Sequence, residues 1–224
     1  HGLYRKGGCP MKGLLYKDIV VLKKQISTLL VFVVVYGGFC VAGVFDFSII
    51  GALIAVFGLT IPMSSVAMDD TAHWDRYAAA TPAGRKGIVA GKYLFTLLVI
   101  LISILAGTAA MVLLSLAGLT DTPPTELVGI SLSCGTVTLL LDAILLPFLL
   151  KYGAEKARII SMITFVLIFG GVVLLGGLAR NGVNMPQLPG WLVTALPVVF
   201  GLVSIGGFAL SFAVSLGIYA RKEF

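Results

Sequence analysis

Few side chains in this sequence could do chemistry, and they are widely spaced. Asp142 is the one ionisable residue placed clearly inside a long apolar run. A carboxylate at the centre of a membrane span costs about 2.5–3.5 kcal/mol to insert, so it should face a bundle interior or water. Two roles fit it: a polar point on a transport path that meets a cationic cargo, or a hydrogen-bonding group in helix packing. The two histidines, His1 and His73, cannot build a zinc site between them. The cysteines, Cys9, Cys40 and Cys134, show no metal-ligand spacing and no disulfide framework. In an apolar run a small buried thiol is the simpler reading. Gly87 to Gly91-Lys92 is one residue too short for a phosphate-cradling GxxxxGK, and Tyr93 follows where Ser or Thr is needed. Neither HExxH nor GxSxG occurs. The sequence therefore offers no catalytic residue, no metal site and no cofactor site of its own.

The richest polar interval is Met68 to Tyr93, MDDTAHWDRYAAATPAGRKGIVAGKY. It gathers Asp69, Asp70 and Asp75 with Arg76, Arg85, Lys86 and Lys92, and adds Trp74, Tyr77 and Tyr93. Spacing predicts a short helix from Asp69 to Tyr77, with Asp70, Trp74 and Tyr77 on one face. Thr81 and Pro82 then suit the N-cap and first position of a second helix. One reading is a solvated loop whose aromatics rest at the head groups and whose charges set topology. The other is a docking element for a partner in the aqueous phase, since Trp, Tyr and Arg are enriched at interface hot spots.

The elements that must carry these residues are membrane helices. Of 224 residues, 58% are hydrophobic and 12% charged; the mean hydropathy is +1.06. Helices of about 20 apolar residues span a bilayer, and barrel strands would be about half as long. The expected fold is an all-α polytopic membrane protein with six spans, near 26–45, 48–66, 92–118, 126–150, 159–178 and 192–220. Residues 1–10 read as a remnant preceding a native start at Met11. Residues 11–25, MKGLLYKDIVVLKKQ, read as an amphipathic interfacial helix with its lysines towards anionic head groups. KYGAEKAR (151–158) reads as the loop between the fourth and fifth spans. The doublets Gly37-Gly38, Gly170-Gly171, Gly176-Gly177 and Gly206-Gly207 read as packing or bending points within spans.

Basic residues orient the chain. With the N-terminus in the cytoplasm, 15 of the 16 lysines and arginines fall on that side, and only Arg180 falls outside. Both termini and the 68–93 interval are then cytoplasmic. The net charge of +6 reflects this bias. It does not signal nucleic acid, because the bases are scattered over separate segments with no aromatic platform.

The start at 11–25, the hydrophobic hairpin after it, and DDTAHWDRYAAATPAGRKGIVAGKYL together resemble the small six-span permeases of type-2 ATP-binding-cassette transporters. The nearest branch includes the membrane subunit of the phenol-soluble-modulin exporter of staphylococci. The resemblance rests on Asp70, Trp74, Tyr77, Pro82, Arg85, Lys86, Lys92 and Tyr93. It implies a homodimer in the bacterial plasma membrane, seated on two copies of a separate ATPase that holds ATP and Mg. It also implies that Asp69, Asp70, Trp74, Asp75, Arg76, Tyr77, Pro82, Arg85 and Lys86 form the ATPase-coupling segment. Lys151, Glu155, Lys156 and Arg158 would make a second, lesser contact. The implied cargo is an amphipathic or hydrophobic peptide, or a lipid-like molecule, moved outward. Two other readings remain beside it: an ATP-independent carrier or channel using Asp142, and a non-transporting immunity protein that binds a toxin peptide.

Overall fold

All secondary structure among the described residues is helical. The structure, a computed structural model, describes residues 31–32, 34–40, 42–43, 48–72, 84–118, 122–180 and 190–220. Within these, the side chains of 48–49, 84–85, 165, 168–169, 172–180, 190–196 and 220 are not described. Helix α1 comprises the described residues within 31–40. Four long helices follow: α2 (Ser48–Thr71), α3 (Gly84–Leu116), α4 (Pro124–Arg180) and α5 (Gly190–Ala220). Each of these four holds a stretch long and apolar enough to cross a membrane. The amphipathic helix expected at 11–25 lies outside the described residues.

The described residues thus give four membrane-length helices, against the six spans expected. The expected span at 26–45 is described only in part. The spans expected at 126–150 and 159–178 both fall within α4. KYGAEKAR is not a loop: the only non-helical residue inside α4 is Gly153, at φ 79° and ψ 173°. The residues after it, Ala154 to Arg158, are good helix formers and restart the helix at once. Only glycine adopts such a φ without a steric cost. In a straight helix Asp142 and Ser161 would lie about 28 Å apart. Instead they line one small cavity together with Leu149 and Ala157. The chain therefore reverses at Gly153, and α4 is a hairpin of two arms, 124–152 and 154–180.

The other boundaries follow local rules. Pro124 occupies the first position of α4, where its missing N–H is no loss, and Glu126 supplies an acid to the first turn. Gly118, at φ 72°, closes α3 with its amide 3.0 Å from the Ser115 carbonyl. Helix α2 outruns its expected end because nothing between Ser64 and Thr71 breaks it. Asp69 and Asp70 belong to its last turn and do not open a separate short helix.

Helix α4 packs against α2, α3 and α5, and α3 also touches both α2 and α5. Among the described residues α2 and α5 do not touch. Ile50, Met111 and Leu127 pack at one end of the bundle. Ile61 packs on Phe95 and Val99 further along. At the other end Ile88, Val89 and Tyr93 meet Leu146, Leu150 and Tyr219. Close approach uses single glycines. A Cβ on Gly58 would meet Thr138 Cγ2, one on Gly135 would meet Ile104, and one on Gly107 would meet Ile54 at 2.5 Å. The expected doublets are different: among the described residues, Gly37, Gly38, Gly170, Gly171, Gly206 and Gly207 have nothing within 4 Å of an added Cβ. The side-chain surroundings of Gly176 and Gly177 are not described. Adjacent glycines point about 100° apart, so being adjacent does not put either one on a contact face.

Candidate functional site

The last two turns of α2 carry Ser65, Asp69 and Asp70. Ser65 and Asp69 are four apart and share a face; Asp70 points elsewhere. Across from Ser65 and Asp69, α3 presents Lys92, eight residues past its start. Lys92 Nζ lies 2.6 Å from Asp69 Oδ2 and donates to Ser65 Oγ at 2.6 Å. Asp69 is 7% exposed and Lys92 6%. Burial removes both charges from water, so the pair holds only because its geometry and the serine satisfy it. The ammonium also offsets an acid placed unfavourably near the C-terminal end of a helix.

Asp70 makes the second tie. Its Oδ2 accepts a hydrogen bond from the Ala154 amide at 2.7 Å. Ala154 is the first residue after the Gly153 bend, so Asp70 caps the second arm of α4 from another helix. The negative charge sits at the positive end of that arm. Thr71 Oγ1 meanwhile donates to the Ala67 and Met68 carbonyls at 2.8 and 3.1 Å, which satisfies the end of α2. Two adjacent acids thus join α2 to α3 on one side and to the α4 hairpin on the other.

A third tie lies nearby. The Tyr93 hydroxyl is 2.7 Å from both Ser211 Oγ and Ser215 Oγ of α5. Its ring stands edge-on to Phe208 and Phe212. The base of α3 is therefore held to α2 through Lys92 and to α5 through the next residue.

Beside these ties lies a cleft of about 1490 Å³ between α2 and the second arm of α4. Asp70, Gly153 and Ala154 line one end, where Lys151, Glu155 and Arg158 also reach it. Val56, Leu59, Met63, Met162 and Val166 line the rest, interrupted by the hydroxyls of Thr60, Ser64 and Ser161. All four residues expected to form the second coupling contact, Lys151, Glu155, Lys156 and Arg158, are exposed. Lys156 does not line the cleft. Lys86, of the main coupling segment, is exposed on the first turn of α3. Arg85 is helical, but its side chain is not described. Trp74, Asp75, Arg76, Tyr77 and Pro82 lie outside the described residues.

Asp142 stands apart. It is 3% exposed, and Oδ2 has no hydrogen-bond partner among the described residues. It lines a cavity of about 10 Å³ with Pro62, Met63 and Ser161, not the large cleft. No group of His, Cys, Asp and Glu among the described residues could hold a metal ion.

In the sequence Lys92 reads as a topological base and as part of the permease resemblance, not as the partner of an acid, and Ser65, Gly153 and Ala154 were not singled out. The Ser65-Asp69 spacing of four was a usable signal for one half of the ion pair. The glycine in KYGAEKAR was a signal for the bend. Nothing in the sequence pairs Asp70 with Ala154.

Apolar helices of this length, joined at a charged end, define a multi-pass helical membrane protein. Residues 13–220 match the family model described as ABC-2 family transporter protein, and the chain belongs to that family. It is a membrane permease of the ABC transporter class, a transport subunit of a kind that works with an ABC ATPase. No curated protein matches the chain, and no solved structure does.

Proposed function

We propose that this chain is the permease of an exporter in the phenol-soluble-modulin exporter branch. It moves amphipathic or hydrophobic peptides, or lipid-like molecules, out of a bacterial cell. Two permease copies form a homodimer on two copies of a separate ATPase, which binds ATP and Mg. Each permease has six spans, counting the partly described span at 26–45 and the two arms of α4, with both termini in the cytoplasm. The 69–86 segment seats on the ATPase, and the 151–158 bend makes the lesser contact.

The observation that carries this reading is the double tie of Asp69 to Lys92 and Asp70 to Ala154. A segment that is to transmit force must be fixed to the parts it moves. Here its first residues are bonded to α3 and to the α4 hairpin, and they belong to α2 itself. ATP can shift the permease only through contacts that differ between its two states. Closure of the ATPase pair would move these elements together.

The test is substrate-stimulated ATPase activity of the assembled complex. Trp74→Ala and Arg85→Glu should each abolish the stimulation while the permease still folds and inserts. If stimulation survives both substitutions, the docking role is wrong.

A further inference from the structure

A separate groove of about 500 Å³ runs between the first arm of α4 and α5, within the range of roughly 300–1,000 Å³ usual for ligand sites. Leu140, Ile144 and Phe148 line it from α4, four apart and so along one stripe of the arm. Val203, Leu210 and Val214 line it from α5. Gly207 keeps it open: among the described residues, nothing lies within 4 Å of a Cβ added there. The single hydroxyl in the lining belongs to Ser211, which is already bonded to Tyr93. Lys151 is the only charged residue that lines the groove, and it stands at one end. Phe148 stacks on Tyr152, and Lys151 Nζ stands 4.9 Å over the same ring. Tyr152, 44% exposed, is the kind of residue that rests at head-group depth. Leu140 to Lys151 rises about 16 Å along a helix, close to the roughly 15 Å hydrocarbon depth of one leaflet. The groove is thus an apolar slot one leaflet deep, with a cation at its mouth and no acid in its walls.

We propose that this groove holds an acyl chain of an anionic phospholipid, with the lipid phosphate at Lys151. A basic residue at the membrane surface attracts anionic head groups, whereas a zwitterionic head group brings a cation of its own beside the lysine. A helix from a second copy would cross both leaflets, but the groove ends near the middle of the slab. Lys151 also borders the cleft on the α2 side, where Arg158 remains with Asp70 and Glu155. The inference needs the chain to sit in a membrane and needs no ATPase docked on it. It takes Lys151 out of the lesser ATPase contact and leaves Glu155, Lys156 and Arg158 to that role.

The full chain, purified without its ATPase, is tested by native mass spectrometry against phosphatidylglycerol and phosphatidylcholine of identical acyl chains. Phosphatidylglycerol should be retained about fivefold better, the preference one basic residue near the surface supplies. Lys151→Gln should abolish the preference, whereas Lys156→Gln, which removes a charge off the groove, should keep it. Gly207→Phe fills the slot and should lower retention of both lipids. Equal retention by the parent protein, a preference that survives Lys151→Gln, or an equal loss in Lys156→Gln would overturn the proposal. Wild-type protein provides an arm independent of variant folding. Phosphatidylglycerol with a photoreactive acyl chain should label the peptides that contain Ile144 and Leu210. Labelling confined to α2 and α3 would sink the assignment. Labelling present in the monomer and lost in the dimer would give the groove to a second copy and overturn it as well.

Discussion

The Asp70 carboxylate and the Ala154 amide, 84 positions apart in the chain, are joined by a 2.7 Å hydrogen bond at the point where α4 reverses. The bend has no side chain of its own to cap the arm that follows. Gly153 cannot supply one, and an added Cβ there would lie 3.0 Å from Asp70 Oδ2. The cap is therefore borrowed from α2, and the glycine leaves room for it.

Gly153 and Asp70 should consequently be energetically coupled. Gly153→Ala should destabilise by about 1–3 kcal/mol, because φ 79° with ψ 173° is a region essentially reserved to glycine, with a further cost from crowding against the carboxylate. Asp70→Ala should cost about 1 kcal/mol as a lost cap, and Asp70→Asn less, because an oxygen remains to accept from Ala154. The double change to alanine should cost less than the sum of the singles, since removing the carboxylate clears the crowding. Unfolding of the detergent-solubilised protein measures all four values. Strict additivity would mean that the two residues act independently.

Lys92 and Asp69 allow a different cycle. Lys92→Met leaves a buried carboxylate without its cation and should destabilise by about 3–5 kcal/mol. Asp69→Leu leaves the ammonium in the same position. The Asp69→Leu, Lys92→Met double variant should recover most of that loss, because apolar residues of similar volume replace a buried pair at little net cost. The stability should return while substrate-stimulated ATPase activity does not, if the pair serves to transmit force. The stability arm is read from unfolding of the permease alone, and the coupling arm from the assembled complex.

How much of this was legible in the sequence depended on what each residue answers to. Apolar runs answer to the bilayer, so the helical membrane class and the general positions of α2 to α5 could be read directly. Lys92 answers to a neighbour on another helix. In sequence it looks like one more base at the foot of a span, and only the packing of α3 on α2 makes it the partner of Asp69. Asp69 and Asp70 are adjacent, yet they serve different helices, which one-dimensional spacing cannot show. Gly37-Gly38, Gly170-Gly171 and Gly206-Gly207 make no close contact among the described residues, because contact depends on which face a residue presents, while Gly58 and Gly135 looked ordinary. Gly153 was readable as a breaker, but not as the sole residue of a turn.

Asp142 yields the last prediction, because its two possible roles differ in what they expect of a variant that cannot ionise. It is buried among Leu59, Pro62, Met63 and Leu146 beside a cavity of about 10 Å³, room for about one water and far too small for a peptide or lipid cargo. It does not face the 1490 Å³ cleft. One carboxylate oxygen has no partner among the described residues, so its desolvation is not offset by a bond there, a cost of about 1–3 kcal/mol for such a group. Asp142→Asn preserves the shape and cannot ionise. The variant should be as stable as the parent or more so, by up to about 2 kcal/mol, and should transport cargo at the parental rate. Unfolding in detergent and flux into vesicles with the ATPase present measure the two effects. A carrier that used Asp142 as its ion site would lose flux in this variant, and would show flux without any ATPase in the parent.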